Sequence, residues 1–313
     1  MKGRFIILGT SSAIPTKERN HSAIYFQYKN NSFLFDCGEG TQRQIQIANL
    51  SFFRIEKIFI SHLHGDHTLG LPGLLQTLDF HDKDYLEIYG PKGIKELINL
   101  VPKCFYLNTE DLKINVFELE ELAKNNNREV NQVFKVFEDN DFIINSIKLN
   151  HTVNSFAYSF KEKSILKIDK EKISKLKLSS LEIKELIEKK EIIKGGKEIN
   201  LKDISYLKKG FKFTYIADTY YTENIFKIAK DSDYLIIECT YFNENDLAKE
   251  YKHLSFDIFK KEIYPKLKEL NVKNIILTHF SRRYKDLSIF EEEIKRSKMK
   301  NVYLAYDFMK FEF

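Results

Sequence analysis

Short apolar runs recur along the chain, and most of them end in a turn that carries a polar residue. Their bounded length and their branched or aromatic side chains favour β-strands over helices. The predicted strands are Phe5–Leu8, Phe33–Phe35, Ile58–Ile60, Ile143–Leu149, Phe213–Ile216, Tyr234–Ile237, Ile275–Leu277 and Val302–Tyr306. Helical patterns lie between some of these runs, at Gly70–Leu78, Ile94–Leu100, Glu223–Lys230, Phe256–Leu270 and Ile289–Arg296. Strands and helices interleaved in this way predict a layered α/β domain.

The segment 161–212 interrupts this series of strands. Apolar residues there fit one face of a helix between Lys-rich turns, at Ile173, Leu176, Ile183, Leu186 and Ile187. Gly195 and Gly196 then break the pattern. Since no internal repeat and no Pro/Ser-rich linker marks a second domain, we interpret residues 1–313 as one domain and residues 161–212 as an arm inserted into it.

The composition is that of a globular protein. The chain has 313 residues, of which 43% are hydrophobic, and this is ample apolar surface for a core. No stretch approaches the roughly 18 consecutive apolar residues of a membrane-spanning helix, and the run Phe5–Leu8 is too short for a signal peptide. The cysteines Cys37, Cys104 and Cys239 are widely spaced and form no CxxC pair. We therefore expect a protein of the reducing cytoplasm that has no membrane partner.

The charge of the chain is unevenly distributed. The formal net charge is only +5, yet residues 161–212 contain 16 Lys against nine Asp and Glu. The rest of the chain carries slightly more acidic than basic residues. Clustered positive charge can bind the phosphates of a nucleic acid, although a charged run is more often a solvated helix face.

The clearest chemical signal is the motif Ser61-His62-Leu63-His64-Gly65-Asp66-His67, which directly follows a predicted strand. Alternation along an extended loop points His62, His64 and Asp66 in one direction. Gly65 permits a bend that turns His67 towards the same centre. Imidazoles and a carboxylate suit borderline cations such as zinc. Four candidate ligands exceed what one tetrahedral ion with an open position needs, which suggests two ions.

Three further candidate ligands follow other predicted strands: His151, Asp218 and His279. Residues at the ends of strands gather at one edge of a layered sheet, where loops can vary while the sheet holds them in place. Five of the eight histidines in the chain fall into this combined set. The sequence therefore predicts one metal site built from seven residues.

The pattern His62-x-His64-x-Asp66-His67 with His151, Asp218 and His279 resembles the metallo-β-lactamase superfamily. A narrower resemblance rests on further motifs, namely Leu8-Gly9-Thr10-Ser11-Ser12-Ala13-Ile14-Pro15, Glu18-Arg19-Asn20, Phe35-Asp36-Cys37-Gly38-Glu39-Gly40-Thr41-Gln42-Arg43-Gln44, Gly70-Leu71-Pro72-Gly73-Leu74-Leu75, Tyr89-Gly90-Pro91-Lys92-Gly93 and His279-Phe280-Ser281-Arg282-Arg283-Tyr284. Together they are similar to the ribonuclease Z family, whose members mature the 3′ end of tRNA precursors.

The resemblance implies an αββα sandwich that binds two Zn²⁺ ions per chain, or another divalent metal, along its upper edge. One ion would be held by His62, His64 and His151, and the other by Asp66, His67 and His279, with Asp218 bridging them. The resemblance also implies a homodimer that binds pre-tRNA. The Lys-rich arm 161–212 would then be the tRNA-binding exosite.

Two such ions can activate water and clamp the oxygens of a phosphodiester during an in-line displacement. Asp66 is then also a candidate to orient the attacking water or accept its proton. The leaving ribose 3′-oxygen needs a proton, and we expect His253, oriented by Glu238, to donate it. Arg283 and Tyr284 are candidate contacts to a phosphate or a base, although such residues in a loop are as often simple packing.

Three hypotheses of function follow from these observations. The leading one is a zinc-dependent endoribonuclease that removes the 3′ trailer of pre-tRNA and leaves a tRNA 3′-hydroxyl. The second is a phosphodiesterase of the same superfamily that acts on small molecules, and the third is a non-catalytic RNA-binding protein on the same scaffold. The cationic arm argues against the second, because a small substrate needs no large cationic surface. Seven intact ligand positions argue against the third.

Overall fold

The computed structural model describes residues 2–80, 83–105 and 112–313, and within these ranges two seven-stranded β-sheets lie face to face. The strands are β1 (Gly3–Gly9), β2 (Ser11–Ser12), β3 (Ala23–Tyr28), β4 (Asn31–Phe35), β5 (Ile55–Phe59), β6 (Tyr85–Gly90), β7 (Lys113–Glu118), β8 (Phe134–Glu138), β9 (Phe142–Lys148), β10 (Phe156–Glu162), β11 (Ile165–Ile168), β12 (Glu191–Lys194), β13 (Lys197–Asn200), β14 (Ser205–Lys208), β15 (Lys212–Ile216), β16 (Tyr234–Glu238), β17 (Asn274–Thr278), β18 (Phe280–Ser281), β19 (Val302–Leu304) and β20 (Lys310–Glu312).

Helices connect many of these strands. They are α1 (Thr41–Ile47), α2 (Gly65–Thr68), α3 (Leu71–Asp79), α4 (Ile94–Phe105), α5 (Leu119–Asn125), α6 (Lys170–Leu176), α7 (Ser180–Lys189), α8 (Asn224–Ala229), α9 (Asn245–Glu250), α10 (Phe256–Ile258), α11 (Tyr264–Glu269) and α12 (Ser288–Arg296). A π-helical turn at Phe259–Ile263 joins α10 to α11, so residues 256–269 form one continuous helix. Across the three described ranges, no helix combines the length and apolar character that a membrane span requires.

Both sheets are mixed. The first has the order β20-β1-β3-β4-β5-β6-β7 and the second the order β19-β17-β16-β15-β10-β9-β8. The strands β4 to β7 run parallel to one another, as do β15, β16, β17 and β19, whereas the other neighbours in both sheets are antiparallel. Parallel strands end at the same edge of a sheet. The chain topology, which the apolar runs alone left open, thus brings several strand ends together.

Three apolar layers hold the sandwich together. Between the sheets, aromatic rings from both inner faces interlock, and the ring centroid of Phe26 lies 4.8 Å from that of Phe160 and 5.0 Å from that of Phe213. The helices α1, α3 and α4 cover the outer face of the first sheet, and α8 to α12 cover the outer face of the second. The αββα sandwich is therefore confirmed, as are the strands and helices that the apolar pattern predicts.

Residues 163–211, between β10 and β15, have a small apolar core of their own. Its buried members are Leu178, Leu186, Ile192, Ile199, Leu201 and Ile204. The segment consists of the two-stranded pair β11 and β14, the helices α6 and α7, the hairpin β12–β13 and a 3₁₀-helix at Leu201–Ile204. The predicted break at Gly195 and Gly196 is the hairpin turn, where both residues have the positive φ, 58° and 77°, of a type I′ turn.

Candidate metal centre

Strands from both sheets end at one edge of the sandwich, and four of them lead into predicted ligands. β5 leads into His62, β9 into His151, β15 into Asp218 and β17 into His279. The seven predicted ligand side chains form two groups in which the ligand atoms lie within 4.8 Å of one another, and Asp218 belongs to both. The structure thus brings together the complete set of residues that the sequence places in the site.

The segment that runs from the end of β5 through α2 supplies four of these side chains. His64 has an extended backbone, with φ −67° and ψ 151°, and Asp66 and His67 lie in the first turn of α2. Gly65 opens that helix and does not adopt a positive φ, so the expected glycine-dependent bend is instead the helix start itself. The backbone N–H of Ala13 donates to Asp66 Oδ2 over 2.9 Å and orients that carboxylate.

The first group contains His62, His64, His151 and Asp218. His64 Nδ1 lies 3.1 Å from His62 Nε2 and 3.2 Å from His151 Nε2. Asp218 Oδ2 lies 3.5 Å from His62 Nε2 and 3.8 Å from His151 Nε2. A tetrahedral zinc ion with bonds of about 2.0–2.1 Å separates its ligand atoms by about 3.3 Å. The group therefore has the spacing that such an ion requires.

The second group contains Asp66, His67, Asp218 and His279. His279 Nε2 lies 3.2 Å from Asp66 Oδ2, 3.3 Å from Asp218 Oδ1 and 3.3 Å from His67 Nε2. Asp218 Oδ1 is buried and has no hydrogen-bond partner. Since a buried carboxylate oxygen normally has a partner, and Oδ1 and Oδ2 face different groups, the donor set fits a bridging carboxylate between two cations.

Burial and neighbouring charges set the protonation states of five of these ligands in the way that cation binding requires. Burial lowers the pKa of His62 well below its usual value and also lowers the pKa of His64 and of His151, so these imidazoles are neutral and offer a lone pair. Burial opposes ionisation of Asp66 and Asp218, but the neighbouring histidines outweigh it and hold the pKa of both carboxyls well below the usual range. Both carboxyls are therefore ionised.

Asp36 lies behind the second group and fixes the orientation of His67. Its carboxylate accepts hydrogen bonds from His67 Nδ1 at 2.7 Å, Tyr215 Oη at 2.6 Å, and the backbone N–H and hydroxyl of Ser61 at 2.7 and 2.8 Å. With Nδ1 donating to Asp36, the Nε2 atom of His67 faces the ligand group. The motif containing Asp36 was noted in the sequence, but this role was not predicted, although a polar residue directly after an apolar run is the same signal that identified Asp218.

Glu238, at the end of β16, holds His253 beside the metal groups. Glu238 Oε1 accepts from His253 Nδ1 over 2.9 Å and from the backbone N–H of Thr219 over 2.6 Å. Burial lowers the pKa of His253, but the carboxylates of Glu238 and Asp218 outweigh it and raise that pKa to about 9. His253 is thus protonated at neutral pH, and it lines the cavity above the metal groups.

Thr240 links this pair to the metal groups. Its hydroxyl donates to Glu238 Oε2 over 2.8 Å and lies 3.0 Å from His279 Nδ1, from which it can accept. The chain therefore orients His253 and His279 through one carboxylate and one hydroxyl. Thr240 was not predicted, and a lone threonine after a strand gives no signal for this role.

A cavity of about 510 Å³ opens above the two groups, and its lining includes Ser12, His64, Asp218, Tyr251 and His253. The described residues 163–211 of the arm do not line it, and neither do Arg283 and Tyr284. Arg283 pairs with Glu244 over 3.0 Å and lies 4.9 Å from the ring centroid of Tyr241, while the Tyr284 hydroxyl donates to Glu244 over 2.6 Å. These two predicted substrate contacts lie beside the cavity and are engaged with the protein itself.

Comparisons with known proteins agree with this architecture. Residues 3–194 match the family model described as Anti-Pycsar protein Apyc1. Ribonuclease Z of Nanoarchaeum equitans (strain Kin4-M) is 37% identical over 289 residues, which cover 91% of this chain and 85% of the relative. A ribonuclease Z of Bacillus cereus is 36% identical over 322 residues, and the match covers 98% of both chains.

Solved structures show the same relationship. The short form of human tRNase Z superposes with a TM-score of 0.67 at 27% identity and covers 99% of this chain and 98% of its own. The metallo-β-lactamase-fold protein YhfI of Bacillus subtilis superposes with a TM-score of 0.66 at 18% identity, which is a likeness of fold alone, and covers 99% of each chain. On its sequence relatives and its fold, the chain belongs to the ribonuclease Z family of metallo-β-lactamase-fold proteins.

Proposed function

We propose that this chain is a metal-dependent endoribonuclease that hydrolyses a phosphodiester at the 3′ side of tRNA in its precursors, removing the 3′ trailer and leaving a 3′-hydroxyl. The observation that carries the proposal is the pair of ligand groups that share Asp218 below an open cavity. Relatives named ribonuclease Z, at 33% to 37% identity over nearly the whole chain, support the choice of substrate.

The seven ligands would hold two Zn²⁺ ions per chain. Neutral imidazoles with two carboxylates are the donor set that zinc prefers, and the unpartnered Asp218 Oδ1 supports a bridging role for that residue. Bound there, the ions would supply Lewis acidity for the phosphodiester and for the attacking water. Asp66, held by the N–H of Ala13, orients that water from the rim of the second group.

His253 donates the proton that the leaving ribose 3′-oxygen requires. It lines the cavity beside both ligand groups, with its ring centroid 5.0 Å from that of His151 and 5.5 Å from that of His279. Glu238 fixes the imidazole by accepting from Nδ1, which leaves Nε2–H available to the substrate. Glu238 is itself fully buried, and it acts through His253 and, by way of Thr240, through His279.

The Lys-rich arm 161–212 supplies a binding surface for tRNA at a distance from the reaction. Its 16 Lys against nine acidic residues and its separation from the cavity support contacts to phosphates away from the scissile bond. Arg283, exposed beside the cavity, can add one phosphate contact at its rim. Tyr284 can contribute a ring edge there, since its hydroxyl is already engaged.

The chain acts as a homodimer in the cytoplasm. Leu69 and Phe80, which directly follow the helices α2 and α3, are 60% and 74% exposed. Large apolar side chains on the surface beside a functional site are typical of a protein interface. The three unpaired cysteines support a reducing compartment. Light scattering of the purified protein measures the oligomeric state.

Incubation of the purified, zinc-loaded protein with a 3′-extended pre-tRNA tests the function. We expect one cleavage at the 3′ end of the tRNA, with a 3′-hydroxyl on the tRNA and a 5′-phosphate on the trailer. Bis(p-nitrophenyl) phosphate serves as the second substrate. Hydrolysis of that ester without any cleavage of pre-tRNA would favour a small-molecule phosphodiesterase, and inactivity on both with two metals bound would favour an RNA-binding protein.

A further inference from the structure

Tyr251 lies on the wall of the cavity above the metal groups and holds none of the ligands through its side chain. It is 49% exposed, and most of the surface of a tyrosine belongs to its ring. Apart from histidines, it is the only aromatic residue of the described ranges that lines this cavity. Within those ranges its hydroxyl makes no hydrogen bond and its ring contacts no other ring. The ring is therefore available to a ligand that enters the cavity.

Two other tyrosines near the cavity are instead engaged with the protein. The hydroxyl of Tyr284 donates to Glu244 over 2.6 Å, and the guanidinium of Arg283 lies 4.9 Å from the ring centroid of Tyr241. Tyr241 is also buried, and neither of these two residues lines the cavity. Tyr251 thus differs from both, because its ring faces open space at the site and has no partner there.

The backbone fixes Tyr251 beside the proposed proton donor. Tyr251 is the C-cap of α9, and its N–H donates to Leu247 O over 2.9 Å. The next residue, Lys252, adopts a φ of 52°, and the N–H of His253 donates to Ala248 O over 2.8 Å. This pattern is the Schellman motif, which ends many helices. The aromatic ring and the imidazole therefore project from one hydrogen-bonded turn.

The same turn is attached to the metal groups. The carbonyl of Lys252 accepts from His151 Nδ1 over 2.9 Å, and the Lys252 ammonium donates to His151 O over 3.5 Å. The ring centroid of His253 lies 5.0 Å from that of His151. A phosphodiester bound at the metal groups therefore lies beside the turn that carries Tyr251.

Resting on the proposed function, the substrate at this place is the single-stranded 3′ region of a tRNA precursor. A phosphodiester has one nucleoside on each side, and the cavity volume of about 510 Å³ has room for more than the phosphate. Aromatic side chains bind single strands by stacking, because every base has a π-face. We propose that Tyr251 is a substrate-binding residue whose ring stacks on a base that flanks the scissile phosphate. Since stacking tolerates any base, the contact recognises an unpaired nucleotide and not a sequence.

Abasic substrates test this stack. One pre-tRNA is intact, a second lacks the base of the last tRNA nucleotide, and a third lacks the base of the first trailer nucleotide. On the intact substrate, Tyr251→Ala should lower kcat/KM on the order of 5- to 100-fold, the effect of one base stacked on an aromatic ring. On one of the two abasic substrates, the parent and Tyr251→Ala should have equal kcat/KM, because the partner of the ring is already absent. That substrate identifies the stacked base.

Two further variants serve as controls. Tyr251→Phe keeps the ring and removes only a hydroxyl without a partner, so its kcat/KM should match that of the parent. Tyr306→Ala removes a tyrosine that is 63% exposed and does not line the cavity, and it should match the parent on all three substrates. The zinc content of Tyr251→Ala should also equal that of the parent, since the substitution leaves the backbone turn that holds His151 in place.

The failure of this inference differs from failure of the proposed function. A parent enzyme that cleaves the intact pre-tRNA, together with a Tyr251→Ala variant that cleaves it equally well, overturns only the stack. An equal loss on all three substrates also overturns it, and would mean that Tyr251 acts by positioning the turn of His253. A Tyr251→Phe variant as slow as Tyr251→Ala would replace the stack by a contact of the hydroxyl. A parent enzyme that leaves the intact pre-tRNA uncleaved overturns the proposed function and this inference with it.

Discussion

Glu238 cannot reach a substrate, because its carboxylate is fully buried and both oxygens accept hydrogen bonds from the protein. Glu238 therefore acts only through the residues that it holds, namely His253, whose Nδ1 lies 2.9 Å from it, and Thr240, which links it to His279. The role of a proton donor can be distinguished from that of a metal ligand, although the loss of either lowers activity. A group that gives a proton matters only when the leaving group needs one, whereas a metal ligand matters for every phosphodiester.

Two substrates that differ in their leaving group therefore test His253 separately from the metal ligands. His253→Ala should slow cleavage of pre-tRNA by on the order of 10²–10⁴, the usual contribution of a positioned general acid. Hydrolysis of bis(p-nitrophenyl) phosphate should change far less, because p-nitrophenolate departs without a proton. Glu238→Gln should give the same pattern in milder form. Rates on both substrates and zinc content are the measurements, and parallel loss of all three would instead place His253 in the metal site.

Burial also changes the pKa of the Asp307 carboxyl. It accepts from Thr10 Oγ1 at 2.8 Å, Asn20 N at 2.7 Å and Gln44 Nε2 at 3.1 Å, and so joins three segments near the cavity. Burial raises the pKa of Asp307 to about 6, above the value near 4 of an unfolded chain. A raised carboxyl pKa favours the protonated form in the folded state, so its contribution to stability falls as the pH rises from about 4 to about 6.

Asp307→Asn removes this titration and should change how stability varies with pH. Relative to the parent, the free energy of unfolding of the variant should rise by about 1 kcal/mol between pH 5 and pH 8. Denaturant unfolding of both proteins at the two pH values gives the difference, in which other titrating groups cancel. If the free energies of unfolding of the variant and the parent differ by the same amount at pH 5 and at pH 8, the three hydrogen bonds keep the Asp307 carboxyl at an ordinary pKa.

At the scale of elements, strand ends explain why so much of the site could be predicted. His62, His64, Asp66 and His67 lie within six residues of one another directly after β5, so their spacing alone reveals them, and His151 carries the same strand-end signal. Asp36 also directly follows a strand, but neither its role nor that of Thr240 could be predicted in this way. Asp36 is 31 residues from His67, and Thr240 is 39 residues from His279, and the parallel pairing of β4 with β5 and of β16 with β17 brings these residues together.

The fold, like the site, could be predicted only in part. Bounded apolar runs predicted β1, β4, β5, β9, β15, β16, β17 and β19, because strands buried on both faces are continuously apolar, but they missed β3, β6, β8 and β10. The pairing of those strands was not predictable, since parallel and antiparallel neighbours share the same residue types. Strand β7 was missed because its side chains are half-buried, and its pattern does not form an apolar run. Helix α5 is equally weak as a signal, with Leu119 and Ala123 as its buried residues.

The role of the arm can be tested by a deletion that leaves the metal site unchanged. Glu162 N donates to Phe211 O over 2.8 Å, and Lys161 pairs with Lys212, so the two strands at its base already form a hairpin without a turn. Replacing residues 163–210 by Asn-Gly supplies the type I′ turn that such a hairpin prefers. Cleavage of pre-tRNA should fall on the order of 10- to 100-fold, because the phosphate contacts are lost. Hydrolysis of bis(p-nitrophenyl) phosphate should stay within about twofold.

A matched variant separates the charge of the arm from its fold. Lys170, Lys172 and Lys175 lie on α6, which has no buried residue, and their replacement by Gln keeps the arm core. The dependence of kcat/KM on salt should become shallower by about 0.7–0.9 in log–log slope for each phosphate contact that is lost. Equal loss on both substrates in the deletion variant would mean that the arm supports the fold and does not bind tRNA.

At the scale of the whole molecule, the metal groups join the two halves of the sandwich. His62, His64, Asp66 and His67 follow a strand of the first sheet, whereas the remaining three ligands follow strands of the second. Each group combines ligands from both sheets. Ions bound there connect the two sheets at an edge where their own contacts consist of polar and charged side chains. The stability of the sandwich should therefore depend on metal.

Metal removal tests this dependence directly. We expect close to two zinc ions per chain by native mass spectrometry, and a decrease in Tm of about 10–20 °C after chelation, since two tightly bound ions stabilise only the folded state. His64→Ala should lower the Tm of the zinc-loaded protein, because one ion loses a ligand. The decrease in Tm on chelation should therefore be smaller than in the parent. Phe26→Leu, in the core between the sheets, should lower the Tm equally with and without zinc. A protein that keeps the same Tm after complete loss of zinc would show that the two sheets need no ion to stay together, and that these seven residues serve the reaction alone.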